Sequence, residues 1–308
     1  MSDRRITPLA VTVVIPAYNR EELIVRAVRS ALAQVPFPPA EVLVVDDASS
    51  DATARAAENA GARVIRHAEN KGEGGARNTG IAQATQPWVA LLDSDDEWLP
   101  EHLNRLWDRR SDHVLLASSA LTRGAAPERL LGHPGDAPAV LHNPRQLFVP
   151  FNPIPASGVL VRRDILVELG GFRALPRGAD LDMWVRVLEH GTGLVCPEPG
   201  YLYYIHEGQV STDQSLMRTA LRSIVLEYRS RPWWDTGTLR ALDAIAAWDV
   251  GREQLSEGHY WRAVRHLLPI LETRQSRGAV ARMLVARRRL RRRLASGRKR
   301  DVGRSVEL

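Results

Sequence analysis

At 308 residues the chain has room for one large domain with an appendage, since domains commonly run roughly 100 to 200 residues. Its 44% hydrophobic and 25% charged content is ordinary for a globular protein and excludes a fibrous repeat or wholesale disorder. The net charge of +6 belongs to one end: residues 277–304 hold twelve Lys or Arg and one Asp, so the rest of the chain is acidic.

In chain order, short β-branched runs alternate with amphipathic segments. Strands are expected at 11–15 (VTVVI), 41–45 (EVLVV), 62–66 (ARVIR), 88–92 (WVALL) and 113–119 (HVLLASS), each apolar enough to be covered on both faces. Between them, EELIVRAVRSALAQ carries Leu23, Ala27, Val28, Ala31 and Leu32 on one helical stripe, DATARAAENA follows a Ser50 or Asp51 cap, and GARNTGIAQAT follows a glycine-rich turn. Strand and helix at this spacing predict an α/β fold with a doubly wound, mainly parallel sheet, whose ligands sit beyond the carboxyl ends of the strands. Residues 122–156 are rich in Gly, Pro and polar residues and read as a long loop, a lid or substrate-binding segment. A strand at 158–163, a helix DILVEL, a helix at 180–190 and a strand at 201–206 follow. From about residue 213 the pattern is helical, with a hairpin around SEGHY that resembles a single tetratricopeptide unit. The expected organisation is a domain over 1–215, with a nucleotide-binding part at 8–121 and an acceptor part at 122–215, then a helical hairpin appendage at 216–275 and a basic tail at 276–308.

One cysteine, Cys196, excludes an internal disulfide and a cysteine metal cage and reads as a small buried hydrophobe in a reducing compartment. The N-terminus lacks a signal-peptide apolar core, and no apolar run reaches the ~18 residues of a spanning helix. A cytoplasmic chain is expected.

The most informative stretch is WVALLDSDDEWLP, where a buried run ends in Asp93, Ser94, Asp95, Asp96 and Glu97. Helix capping accounts for one or two of these acids. Three aspartates together repel one another unless a cation offsets them, and a hard divalent ion with oxygen ligands is the natural neutraliser. Neighbouring strand ends present Pro16, Ala17 and Tyr18, then Asp46 and Asp47, then HAENKGEGGARNTG with Arg77. An Asp there can accept the imide N–H of a pyrimidine, and Arg77 behind glycines suits a pyrophosphate or a base. The glycines fit neither the dinucleotide fingerprint nor a phosphate loop ending Gly-Lys-Ser/Thr, which disfavours a nicotinamide or ATP enzyme.

Taken in order, VVIPAYNRE, VVDDASSDAT, NKGEGGARNTG, LLDSDDEWLP, SGVLVRRDILVELGGF and GADLDMWVRV resemble the inverting glycosyltransferases of family 2, which have the GT-A fold, over about residues 8–215. The resemblance implies transfer of a sugar, with inversion, from a nucleoside-diphosphate sugar (UDP or dTDP favoured) to an acceptor hydroxyl in polysaccharide, glycolipid or other glycoconjugate synthesis. It implies that Pro16, Ala17, Tyr18, Asp46, Asp47, Arg77, Asp93 and Ser94 hold the donor and that Asp180 is the catalytic base. It further implies that Asp95, Asp96 and His206 serve a divalent metal, Mn2+ or Mg2+; the ordinary alternative for His206 is a strand-end histidine. Ala179 stands where the family's Glu-Asp-x-Asp-x-Trp segment carries Glu, which bears on acceptor contacts. Asp182 and Trp184 read as structural, Trp184 as core. Alternatives to the transferase are a catalytically inactive glycosyltransferase-like scaffold and a nucleotidyltransferase.

The tail AVARMLVARRRLRRRLASGRKR sets Val280, Met283, Leu284, Leu290 and Leu294 near helical spacing among arginines. It reads as a basic amphipathic helix contacting an anionic membrane surface at the inner face, or as a solvated tail; nucleic acid is the least favoured partner. A membrane-facing tail suits a lipid-linked acceptor, while glycans and small molecules are the other acceptor classes.

Overall fold

The computed structural model describes residues 7–124, 128–132, 136–148, 154–205 and 214–239. His206, the hairpin beyond residue 239 and the basic tail lie outside the described residues. The chain divides into two compact units, Met1–Trp233 and Trp234–Leu308. Among the described residues no helix is long and apolar enough to cross a membrane.

The first unit is built on a ten-stranded sheet. Its first half consists of β1 (Leu9–Ala17), β2 (Pro39–Asp46), β3 (Arg63–Arg66) and β4 (Trp88–Leu91), all parallel, in the order β3-β2-β1-β4. These strands read as near-continuous apolar runs because both faces are covered. On one face, Val11, Val13 and Ile15 of β1 share a core with Ile24, Ala27, Val28 and Ala31 of α1 (Ile24–Leu32). On the other lies α3 (Gly72–Gln83), which approaches β1 so closely that a Cβ on Gly80 would stand 2.2 Å from Val14 Cγ1. The helix α2 (Thr53–Asn59) has Ala52, not Ser50 or Asp51, as its N-cap residue; Asp51 Oδ1 still accepts the Thr53 N–H at 2.9 Å.

The second half is mixed. The short strand β5 (Glu97–Trp98), α4 (His102–Asp108) and β6 (Leu115–Gly124) follow β4. The described residues of 122–156 are less of a loop than their composition suggests: they finish β6 and carry β7 (Leu130–Leu131), β8 (Ala139–Leu141) and a 3₁₀ turn at Pro144–Leu147, where Gln146 Oε1 accepts the His142 N–H at 2.7 Å and the Asn143 N–H at 3.4 Å. β9 (Val159–Arg162) runs antiparallel between β4 and β6 and joins the two halves into one sheet. After α5 (Arg163–Glu168) and α6 (Ala179–Leu188) comes β10 (Gly193–Ile205), parallel to β6 and antiparallel to β5 and β8. The expected strand at 201–206 is therefore the second half of a longer one, whose register shifts around Pro199 absorb the residues that disguised it. The first unit also takes in α7 (Gln214–Tyr228).

Candidate active site

The predicted donor residues other than Arg77, which α3 carries, lie at the carboxyl ends of β1, β2 and β4, along one edge of the sheet. Pro16 and Ala17 end β1, and Tyr18 projects beyond them with 47% of its surface exposed. Asp46 ends β2, Asp47 follows it, and both are buried; the Asp47 N–H donates to Ala17 O at 2.8 Å, which locks the two strand ends together. Asp46 Oδ1 accepts the Ser49 N–H at 3.1 Å, and its Oδ2 lies 3.2 Å from Arg66 Nε. Asp46 is thus spent on shaping the turn, while Asp47 faces the loop that opens α3.

The acidic turn after β4 divides its carboxylates between two tasks. Asp96 is 1% exposed, and both of its oxygens are hydrogen-bonded within the protein: Oδ2 accepts from the Ser157 hydroxyl at 2.5 Å and Oδ1 from the Tyr204 N–H at 3.2 Å. Burial, then the charges of Asp93 and Asp95, push the Asp96 carboxyl well above the usual range. Ser157 Oγ also accepts the Asp93 N–H at 3.1 Å, so one hydroxyl staples both ends of the turn, and Trp98 Nε1 fixes Ser157 by donating to its carbonyl at 2.7 Å. Ser94 is buried and Asp95 half-buried. Arg26 of α1 donates to the Asp95 carbonyl at 2.5 Å and lies 3.7 Å over the Tyr204 ring, whose hydroxyl donates to Glu97 at 2.8 Å. These contacts bind the last residues of β10 to the acidic turn.

Arg77 brings the two halves of the site together. Its guanidinium is 3% exposed; one terminal nitrogen donates to Asp180 Oδ1 at 2.7 Å, the other to Asp93 Oδ1 at 2.7 Å and to Glu73 one helical turn earlier. Burial opposes the charge on Arg77, but Glu73, Asp180 and Asp93 outweigh it and raise the guanidinium's proton affinity. Burial also raises the Asp180 carboxyl, against the pull of Arg77 and with the repulsion of Asp93. For Glu73, Arg77 pulls downward, yet burial and repulsion from Asp93, Asp180 and Asp95 leave it pushed up to about 7. Negative charge is in surplus here, and the donors are hard oxygens, which is the chemistry a divalent cation fits. Among the described residues no three His, Cys, Asp or Glu side chains converge to hold a metal ion.

Asp180 enters from the first turn of α6, which starts after Gly178 in the left-handed region at φ 76°. Asp182, on the same helix, is fully buried and takes Arg173, Arg186 Nε at 3.0 Å and the Tyr228 hydroxyl at 2.7 Å; Arg173 also pairs with Glu227. Trp184 is buried, donates to Ile154 O at 3.2 Å and meets Phe172 edge-on. Both are structural, as expected: they seat the helix that presents Asp180.

Sequence reasoning did not single out Glu73, Ser157 or His67. Glu73 was legible as an i,i+4 partner of Arg77 within GEGGAR. Ser157 and His67 carry no local signal, because their partners lie 61 and 20 residues away.

A sheet with one parallel half, its strand ends gathering carboxylates around an arginine, agrees with the GT-A fold that the sequence resemblance implied. Residues 12–166 match the family described as glycosyl transferase family 2, and the chain belongs to that family. It is 35% identical over 221 residues to the succinoglycan biosynthesis protein ExoO of Rhizobium meliloti, a match taking in 65% of this chain and 62% of that protein. The chain thus spans less than two thirds of that relative's length. In fold it is similar to residues 1–349 of Staphylococcus aureus TarS in complex with UDP-GlcNAc, with a TM-score of 0.61 at 22% identity over 76% of this chain and 70% of that one. The mannosyltransferase PcManGT of Pyrobaculum calidifontis, solved with GDP-Man and Mn2+, gives a TM-score of 0.61 at 17% identity over 92% and 83%.

Proposed function

We propose that the enzyme transfers a sugar, with inversion, from a UDP- or dTDP-sugar to a hydroxyl of a glycan acceptor in polysaccharide synthesis. The observation that carries this reading is the junction at Arg77, which holds Asp180 and Asp93 on the two ends of one guanidinium. Asp47, Ala17 and Tyr18 take the base, Asp93 and Ser94 the ribose and diphosphate side. Asp180, its basicity raised by burial, accepts the proton of the attacking hydroxyl, and one carboxylate suffices because inversion needs no covalent intermediate. Asp95, with phosphate oxygens of the donor, would hold Mn2+ or Mg2+; Asp96 supports the turn from behind, and His206 follows the end of β10. A bound cation supplies positive charge against the departing nucleoside diphosphate. The ExoO likeness supports a polysaccharide acceptor. The basic segment 277–304 is proposed to hold the enzyme at an anionic membrane surface, on its charge pattern alone; equal flotation with neutral and anionic vesicles would refute this.

The test is nucleoside diphosphate release from UDP-, dTDP- and GDP-sugars with Mn2+ or Mg2+, in wild type and Asp180→Asn. Asp180→Asn is expected to abolish turnover while binding UDP as the wild type does. Retained turnover in that variant overturns the base assignment.

A further inference from the structure

Asp47 meets its surroundings through one carboxylate oxygen. Oδ1 accepts from His67 Nδ1 at 2.6 Å and from the Lys71 backbone N–H at 2.9 Å. The Asp47 main chain is fixed separately, its N–H on Ala17 O and its carbonyl on Asn70 Nδ2 at 3.3 Å. Among the described residues Oδ2 receives no hydrogen bond, which leaves its lone pairs for a ligand.

His67 is placed for this task by its own partners. It is the first residue past β3, at the ligand edge of the sheet, and its N–H is tied to Asp46 O at 2.9 Å. The side chain is 5% exposed, and Nε2 lies 2.9 Å from Thr79 Oγ1 on α3. With the Thr79 hydroxyl donating to Nε2, the ring proton sits on Nδ1 and is delivered to Asp47. Thr79, His67 and Asp47 thus form a chain that runs from a helix to a strand end and sets the rotation of one carboxylate.

We propose that His67 is the positioning residue for nucleobase recognition, turning Asp47 so that Oδ2 meets the ring imide of the donor. The proposal rests on the reading of Asp47 as the base-binding residue. Its consequence is a choice of base. Uracil and thymine present N3–H to the carboxylate, whereas cytosine presents a bare N3, which sets acceptor against acceptor. A carboxylate free to rotate would lose this choice, because Oδ2 would no longer be held at the N3–H of uracil, while cytosine has no such bond to lose.

Calorimetric titration of UDP and of CDP, each with Mn2+, into the full chain tests the proposal. The wild type should prefer UDP by about tenfold or more, as expected when a charged hydrogen bond is made to one base and denied to the other. His67→Ala should lose most of that preference by weakening UDP while leaving CDP nearly unchanged. His67→Asn, whose amide can still donate to Oδ1, should recover it. A His67→Ala protein that keeps the preference, or that loses UDP and CDP equally, overturns the role of His67. Asp47→Ala separates the two levels of inference: if it keeps the preference too, or if the wild type shows none, the reading of Asp47 fails as well.

Discussion

Replacing Arg77 by alanine removes the cation that Glu73, Asp93 and Asp180 share, and the cost follows from how much water each can reach. Stripping one partner from a fully buried ion pair costs ~3 to 5 kcal/mol, because the other charge is stranded. Arg77 is buried, but the side chains of Asp93, Asp180 and Glu73 keep 26%, 33% and 52% of their exposure, so solvent screens part of the loss. We expect about 2 to 3 kcal/mol near neutral pH, on that discounted scale. For a unit of this size the melting temperature should fall by roughly 4 to 12 °C. The deficit should also depend on pH. Burial and mutual repulsion already raise the Asp180 and Glu73 carboxyls, Glu73 to about 7, and without the guanidinium both rise further. The folded variant then binds more protons than its unfolded chain, so stability falls as pH rises from the unfolded carboxylate values near 4 through the raised folded ones. Urea unfolding of wild type and Arg77→Ala, followed by tryptophan fluorescence near pH 5 and near pH 8, reads this directly. A deficit equal at both pH values, or no deficit, refutes the account of Arg77 as the shared counter-charge.

Tyr228→Phe deletes one donor to the buried Asp182 and should cost about 1 to 2 kcal/mol in denaturant unfolding, whereas Asp182→Ala takes the shared carboxylate from Arg173, which keeps Glu227, and from Arg186, which keeps two carbonyls, and should cost about 2 to 4 kcal/mol. An equal loss in the two variants would show that the arginines do not depend on Asp182. Gly80→Ala drives a Cβ to within 2.2 Å of Val14 Cγ1 and should destabilise by ~1 to 3 kcal/mol through overpacking; Val14→Ala in the same chain should recover part of the loss in thermal melts.

The parallel half of the fold was readable because its local and global signals agree. VTVVI, EVLVV and WVALL are short, β-branched and bounded by turn residues, and they became β1, β2 and β4 with ends moved by no more than a few residues. The first half of β10 was hidden because Pro197, Pro199 and Gly200 mark a turn in any local reading; only its partner β6, far away in sequence, makes GLVCPEPG a strand. The two-residue β5 lies below any periodicity, being defined by two pairings to Tyr201 and Leu202. At the site, residue types announced the acids but not the division of labour among them. Asp96 looks equivalent to Asp93 in DSDD, and what separates them is Ser157 and the Tyr204 N–H, delivered from the other half of the sheet.

Arg77 also has a thermodynamic consequence. One side of its fork holds Asp93 and the other Asp180; on the proposed roles of these residues, donor and acceptor draw on a single positive charge. A donor that redirects the guanidinium alters the field at Asp180 and with it the affinity for the incoming hydroxyl. By linkage, an acceptor at Asp180 must then change the affinity for the donor by the same factor. Order of binding in this enzyme would be a property of one arginine, without any moving lid.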